Sequence, residues 1–188
     1  AVDATVMVRV LHHLADVPLA LRQIARVTRG GGTFLLEFAN KRHLKNILRY
    51  ALRRGPNPFA PEPYEFAPLH YDFHPAWVLA RLREAGMRPG ARRSVSLLRS
   101  ETLKRRLPAG LLVGLDGALQ RVTAPLAPAP SVFVRSALPP RPEGPLPPRA
   151  ALFACPRCGA PLATGPAEDV CSACGGRWPI VNGVHVFK

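Results

Sequence analysis

Acidic side chains are scarce in this chain: 12 Asp and Glu stand against 26 Lys and Arg in 188 residues, for a net charge of +14. That excess favours polyanions such as RNA, or anionic membrane surfaces, as partners over cationic ones. An arginine-rich composition with 22 prolines is the competing explanation. Long apolar runs are missing as well. No stretch approaches the roughly 18–20 apolar residues that cross a bilayer. A membrane-spanning helix is thereby excluded, and a soluble, cytoplasmic protein is the expectation. Nothing resembles a secretory signal. No initiating methionine is present either: Ala1-Val2-Asp3 leads directly into a strand-like run, as a fragment would. Cysteine is limited to four residues, all near the C-terminus. What remains is 47% hydrophobic, enough to build the core of one moderate domain beside a small one.

The four cysteines share one pattern: Cys155-x2-Cys158, then 12 residues, then Cys171-x2-Cys174. Two such pairs are the ligand set of a zinc ribbon, in which two tight knuckles offer four thiolates to one tetrahedral Zn²⁺. Gly159, Gly175 and Gly176 follow the second cysteine of each pair, where a knuckle needs a residue tolerant of positive φ. Two disulfides are the alternative, and they are rare in reducing compartments. Four thiolates leave zinc no open position, so this centre is structural rather than catalytic. Its module, 151–188, carries a net +1 from Arg157, Arg177 and Lys188 against Glu168 and Asp169. The other +13 of the +14 lies in 1–150.

Residues 4–10 form a nearly continuous apolar run, expected as a strand buried on both faces. Asp16 is the expected cap of a helix with Pro18 in its first turn, and Leu21, Ile24 and Ala25 recur at helical spacing. Gly30-Gly31-Gly32 is expected to stop that helix before a strand over 33–38. Strand–helix–strand with short connections implies a parallel α/β sheet. A basic amphipathic helix is expected over 41–54, a proline- and aromatic-rich loop over 55–68, and a helix from Pro75 to about Gly86. A strand near 91–98, a helix over 101–121 interrupted near Pro108, and a last strand over 131–135 follow. Six prolines between 138 and 150 make a stiff linker. The expected organisation is thus a catalytic-type portion over 1–137, a linker over 138–150 and a zinc ribbon over 151–188.

The run Asp3 to Asp16, with Val8-Arg9-Val10-Leu11-His12-His13 at its centre, resembles the fourth strand and following turn of Rossmann-like S-adenosylmethionine-dependent methyltransferases. Ala20 to Glu37, through Arg26-Val27 and the three glycines, is similar to the family's fourth helix and fifth strand. The resemblance implies a mostly parallel sheet whose seventh strand runs antiparallel between the fifth and sixth. It covers only the second half of such a domain. The family's glycine-rich loop and the acidic residue that binds the ribose do not occur here, and the three glycines lead from helix to strand, the wrong direction for a cofactor cradle. Residues 175–187, with Trp178-Pro179-Ile180-Val181-Asn182-Gly183, resemble the end of the small zinc-ribbon activator subunit of tRNA, rRNA and protein methyltransferases. Asn182-Gly183 is also a hairpin signal, expected to fold Trp178 and Ile180 against the knuckles.

Ligands of such sheets bind beyond the carboxyl ends of the strands. The resemblance therefore implies S-adenosylmethionine as cofactor beside Val8, Arg9 and Val10, with His13 as the candidate base or orienting group. Glu37 and Asn40 at the end of the next strand, and Tyr71 and His74 beyond the proline-rich loop, are the candidate acceptor pocket. Zn²⁺ on Cys155, Cys158, Cys171 and Cys174 is the second cofactor. His70 and His74 lack the spacing of a metal site. Lys41, Arg42, Lys45, Arg49, Arg53 and Arg54 form either a solvated face or a surface for RNA or membrane. The reading is a methyltransferase acting on an unidentified acceptor, a small molecule or RNA, with a protein partner reached through the ribbon. Its rival is a non-catalytic, RNA-binding or partner-docking zinc-ribbon protein with a degenerate methyltransferase fold.

Overall fold

A computed structural model describes residues 1–141 and 153–187, and the chain divides into two compact units, Ala1–Pro142 and Glu143–Lys188. Most of the expected 138–150 linker lies outside the described residues.

The first unit opens with β1 (Val2–Met7), a short 3-10 turn at Leu11–His13, and α1 (Val17–Val27). Asp16 caps α1 as expected: its carboxylate accepts from the Leu19 amide at 2.8 Å, and Pro18 sits in the first turn, where no backbone donor is needed. Next come β2 (Thr28–Ala39), α2 (Leu44–Ala51), β3 (Tyr64–Ala67) and β4 (His70–Asp72). The unit closes with α3 (Pro75–Glu84), β5 (Arg88–Val95), α4 (Glu101–Arg106), α5 (Ala109–Val122) and β6 (Ser131–Ala137).

The sheet order is β1-β2-β6-β5. β1 and β2 are parallel, while β6 runs antiparallel to both β2 and β5. This is a mixed α/β sheet with the last strand inserted antiparallel, as the sequence resemblance implied. Phe34, Leu36 and Phe38 of β2 face Val132, Val134 and Ser136 of β6, and all six are buried. Leu21 and Ile24 of α1 and Val78 and Leu82 of α3 complete that core. Each fully buried Leu or Phe contributes about 1.5–3 kcal/mol through apolar burial.

Four expectations need correction. β1 is not buried on both faces: among the described residues it stands at the end of the strand order, paired with β2 alone, and Val2 and Val6 are 48% and 63% exposed, as is Val8 just beyond it at 41%. The glycine triplet does not stop α1, which ends at Val27. Instead it lies inside β2 as a bulge, since the register jumps from Val2↔Thr28 to Ala4↔Thr33, and Gly31 takes φ 72°. The stop comes from Thr28, whose hydroxyl donates to the Ile24 carbonyl, and from Arg141, whose guanidinium donates to the Ala25 and Thr28 carbonyls. The 55–68 loop ends in a hairpin, β3–β4. Lys41 is no solvated residue: it is 4% exposed and its Nζ donates to the Glu62 carbonyl.

The second unit is a four-stranded antiparallel sheet of β7 (Leu162–Thr164), β8 (Glu168–Cys171), β9 (Arg177–Val181) and β10 (Val184–His185). The β9–β10 turn falls on Asn182 and Gly183, at φ 51° and 76°, as its sequence signal required. Trp178 packs with Cys155, Leu162 and Cys171, whereas Ile180 is only half-buried.

Candidate functional sites

β1 ends where the chain must turn sharply. Arg9 adopts φ 57°, a left-handed conformation that costs a non-glycine residue about 1–2 kcal/mol. Glu37, buried on the neighbouring β2, holds the turn: its carboxylate accepts from the Arg9 amide at 2.8 Å. The register places Met7 beside Leu36, so the two strand ends bring Arg9 and Glu37 together. Val8, Arg9 and Val10 are exposed along this rim.

The 3-10 turn then presents His12 and His13, with ring centroids 4.0 Å apart. His13 is exposed, and its Nδ1 lies 3.1 Å from the Leu69 carbonyl. A carbonyl only accepts, so Nδ1 is the donor in this contact, and in a neutral ring Nε2 is then the acceptor. His70 meets the His13 ring edge-on at 4.6 Å. The hairpin that delivers His70 is braced by Glu65, whose carboxylate accepts from the Leu69 amide where Leu69 takes φ 54°. His12 is more enclosed: burial, with His13 beside it, pushes its imidazole below the ordinary value, and its Nδ1 is buried without a hydrogen-bond partner.

The expected acceptor-pocket residues divide. Glu37 belongs to the cluster just described. Tyr71 lines a small hollow of ≈ 130 Å³ with Leu14, Val17, Pro63 and Trp77, and burial together with Glu65 raises its phenol. Asn40 stands apart. It is 1% exposed, its amide donates to the Ala127 and Ala129 carbonyls, and its oxygen accepts from the Arg42 amide. Both donors are spent fastening the 127–130 segment to the end of β2. His74 caps α3, its Nδ1 accepting from the Ala76 amide at 3.2 Å. Burial, then Arg42 and Lys41, holds that imidazole below its usual value. Sequence reasoning missed Glu65 and the approach of the buried Lys41 to Asp72, whose carboxyl burial pushes up against the pull of Lys41. No spacing signal marks either, because both depend on the hairpin returning over β2.

In the ribbon, the four cysteine sulfurs lie within 4.8 Å of one another, and none is in a disulfide. Across the two knuckles, Cys155–Cys174 is 3.6 Å and Cys158–Cys171 is 3.5 Å. A tetrahedron with metal–sulfur bonds of about 2.3 Å has edges of about 3.8 Å, so the set fits zinc. Knuckle amides point at the sulfurs. The Cys174 amide is the first cause that lowers the Cys171 thiol to about 7. The Ala160 amide favours the Cys158 thiolate, yet the surrounding cysteines push that thiol up to about 12. Four thiolates this close repel one another, and a divalent cation is the natural counter-charge. Gly159 and Gly175 take φ 76° and 68°, as knuckles require. Gly176 is needed for another reason: a Cβ there would run into the Trp178 ring. Behind the knuckles, the fully buried Asp169 pairs with His185 at 2.6 Å, and Phe153 packs on the imidazole.

A family model described as a methyltransferase domain matches residues 1–36, which cover β1, the histidine turn, α1 and most of β2. No curated protein matches the chain. Among solved structures, one similar fold occurs in the complex between the Haloferax volcanii Trm112 methyltransferase activator and a methyltransferase. It has TM-score 0.44 and 18% identity, covering 74% of this chain and 55% of that one. An S-adenosylmethionine-dependent methyltransferase from Mesorhizobium loti gives 0.42 and 11%, covering 72% and 61%. A SAM-dependent methyltransferase from Archaeoglobus fulgidus gives 0.39 and 12%, covering 72% and 58%. The chain therefore spans between 55% and 61% of the length of these structures.

Proposed function

We propose that this chain is the C-terminal portion of an S-adenosylmethionine-dependent methyltransferase joined to a structural zinc ribbon. The observation that carries the reading is the methyltransferase-domain match on residues 1–36, the segment at whose strand ends Arg9, Glu37 and His13 gather. The sheet order supports it, with β6 antiparallel between β2 and β5. The assigned organisation is 1–137 for the methyltransferase portion, 138–150 for the linker and 151–188 for the ribbon.

When bound, S-adenosylmethionine supplies an activated methyl group on a sulfonium leaving group. Val8, Arg9 and Val10 are the residues of this chain that would border it. Catalysis of methyl transfer rests on alignment and exclusion of water, with a proton removed where the acceptor carries one. His13 suits that last task because its Nδ1 is tied to the Leu69 carbonyl and its Nε2 is free to accept. Glu37 positions the turn through the Arg9 amide. Tyr71 contributes to the acceptor wall, and His74 sets the start of α3 beneath it. Zinc on the four cysteines folds the ribbon, which braces the catalytic portion, presents the acceptor or docks a protein partner.

The glycine-rich loop and ribose-binding acid of the intact enzyme are assigned to chain outside these 188 residues. The test is cofactor binding by the uninterrupted gene product against residues 1–188 alone, followed by transfer of labelled methyl groups to candidate small molecules and RNA.

A further inference from the structure

α2 and the surface beside it do not belong to the site above. The helix has no buried residue. Leu44, Leu48 and Leu52 recur every four positions along one stripe and are 51%, 56% and 65% exposed. Lys45 and Arg49 border the stripe, one turn apart, and Arg53 and Arg54 follow at the helix end. Between Asn40 and Glu62 there is no acidic residue. The leucines line one side of a groove of ≈ 550 Å³, whose other side includes Leu97 and Arg99. A second hollow shares Ser96 and Arg99 with this groove and continues it onto Lys104 of α4 and Val113 of α5. α5 is almost bare: only Leu112 is buried, while Leu111, Val113 and Leu115 stand exposed. Lys104, Arg105 and Arg106 end α4. The two acids nearby are occupied, Glu101 by Lys104 and Asp116 by the Ser96, Leu97 and Leu98 amides.

Aliphatic side chains in rows, rimmed by an excess of cations, are the two components of interfacial membrane attachment. The apolar row enters the headgroup–acyl boundary, and the cations meet anionic headgroups. We propose that the α2–α4–α5 face docks on an anionic phospholipid surface, lying on the membrane with α2 parallel to it. No described helix is long and apolar enough to cross one. Two other occupants fit less well. RNA is gripped by stacking aromatics and polar groups, and this stripe is aliphatic. A second copy joined through this face would bring two sets of like charges together.

The test uses the full 188-residue chain and sedimentation with vesicles of phosphatidylcholine, with or without a third of phosphatidylglycerol. Binding is expected only with phosphatidylglycerol, and is expected to weaken in salt. Leu44→Ser/Leu48→Ser/Leu52→Ser is expected to cut it by about tenfold or more. Lys45→Glu/Arg49→Glu should act similarly, while Arg22→Glu/Arg26→Glu on the exposed side of α1 should leave it unchanged. Circular dichroism monitors folding of each variant, and all substituted residues of α2 are exposed. No vesicle binding would overturn the proposal. So would equal binding to both vesicle types, wild-type binding by the leucine variant, or equal loss on changing α1. A single-stranded RNA oligonucleotide shifted by the protein, with that shift abolished by the leucine changes, would assign the face to RNA instead.

Discussion

Replacing Glu37 tests how the candidate site is built. Glu37 is 5% exposed and its carboxylate accepts from the Arg9 amide at 2.8 Å, while Arg9 sits at φ 57°. A hydrogen bond to a charged group contributes about 1.5–3 kcal/mol, so Glu37→Ala should destabilise the Ala1–Pro142 unit by about that much. Glu37→Gln keeps an acceptor oxygen without the charge, and should cost about 1 kcal/mol or less. Arg9→Gly should behave oppositely. It removes a left-handed penalty of about 1–2 kcal/mol, against about 0.5–1 kcal/mol of added chain entropy in the unfolded state. The net is a gain of about 0–1.5 kcal/mol. Urea unfolding followed by circular dichroism gives the ranking directly, provided the slopes stay equal. The expected order of midpoints is Arg9→Gly at or above wild type, then Glu37→Gln, then Glu37→Ala. A neutral Glu37→Ala, or an Arg9→Gly loss above about 1 kcal/mol, would refute the idea that Glu37 holds a strained turn.

Other outcomes follow from the same geometry. Metal analysis of freshly purified protein should find one zinc per chain, and Cys171→Ser should abolish it; metal-free protein with four titratable thiols would contradict the ribbon assignment. Zinc affinity should fall as pH drops, because each ligand must lose its proton and the Cys158 thiol stands at about 12 without metal. His12, His74 and His43, which precedes α2 and is lowered by burial and then by Lys45 and Arg49, are each held below the ordinary 6.5, so the fold favours their neutral forms. Their contribution is complete above 6.5 and is lost as pH falls through their lowered folded values. The melting temperature of the first unit should therefore drop on acidification below that point. His74→Asn, which keeps a side-chain acceptor for the Ala76 amide, should reduce the drop.

Much of this was legible in residue patterns. The helix at Val17–Val27 was marked by Asp16, Pro18 and apolar spacing, and the ribbon by CxxC pairs and Asn182-Gly183, because all these signals are local. The apolar run of β1 suggests cover on both faces, but such a run records composition and not neighbours: the sheet order leaves Val6 at its edge. The glycine triplet reads as a helix stop, yet Thr28 and Arg141 end the helix, and Arg141 acts from 113 residues away. Asn40 illustrates the limit at the site. Its type and place suggested an acceptor contact, while its amide is spent on the Ala127 and Ala129 carbonyls. Lys41 read as part of a basic face, and only the return of the β3–β4 hairpin buries it.

Calorimetric titration of S-adenosylmethionine into the uninterrupted gene product and into residues 1–188 tests the proposed function most directly. Saturable one-to-one binding is expected of the former, and weak or undetectable binding of the latter. Tight binding by residues 1–188 alone, or no binding by the uninterrupted product, would contradict it.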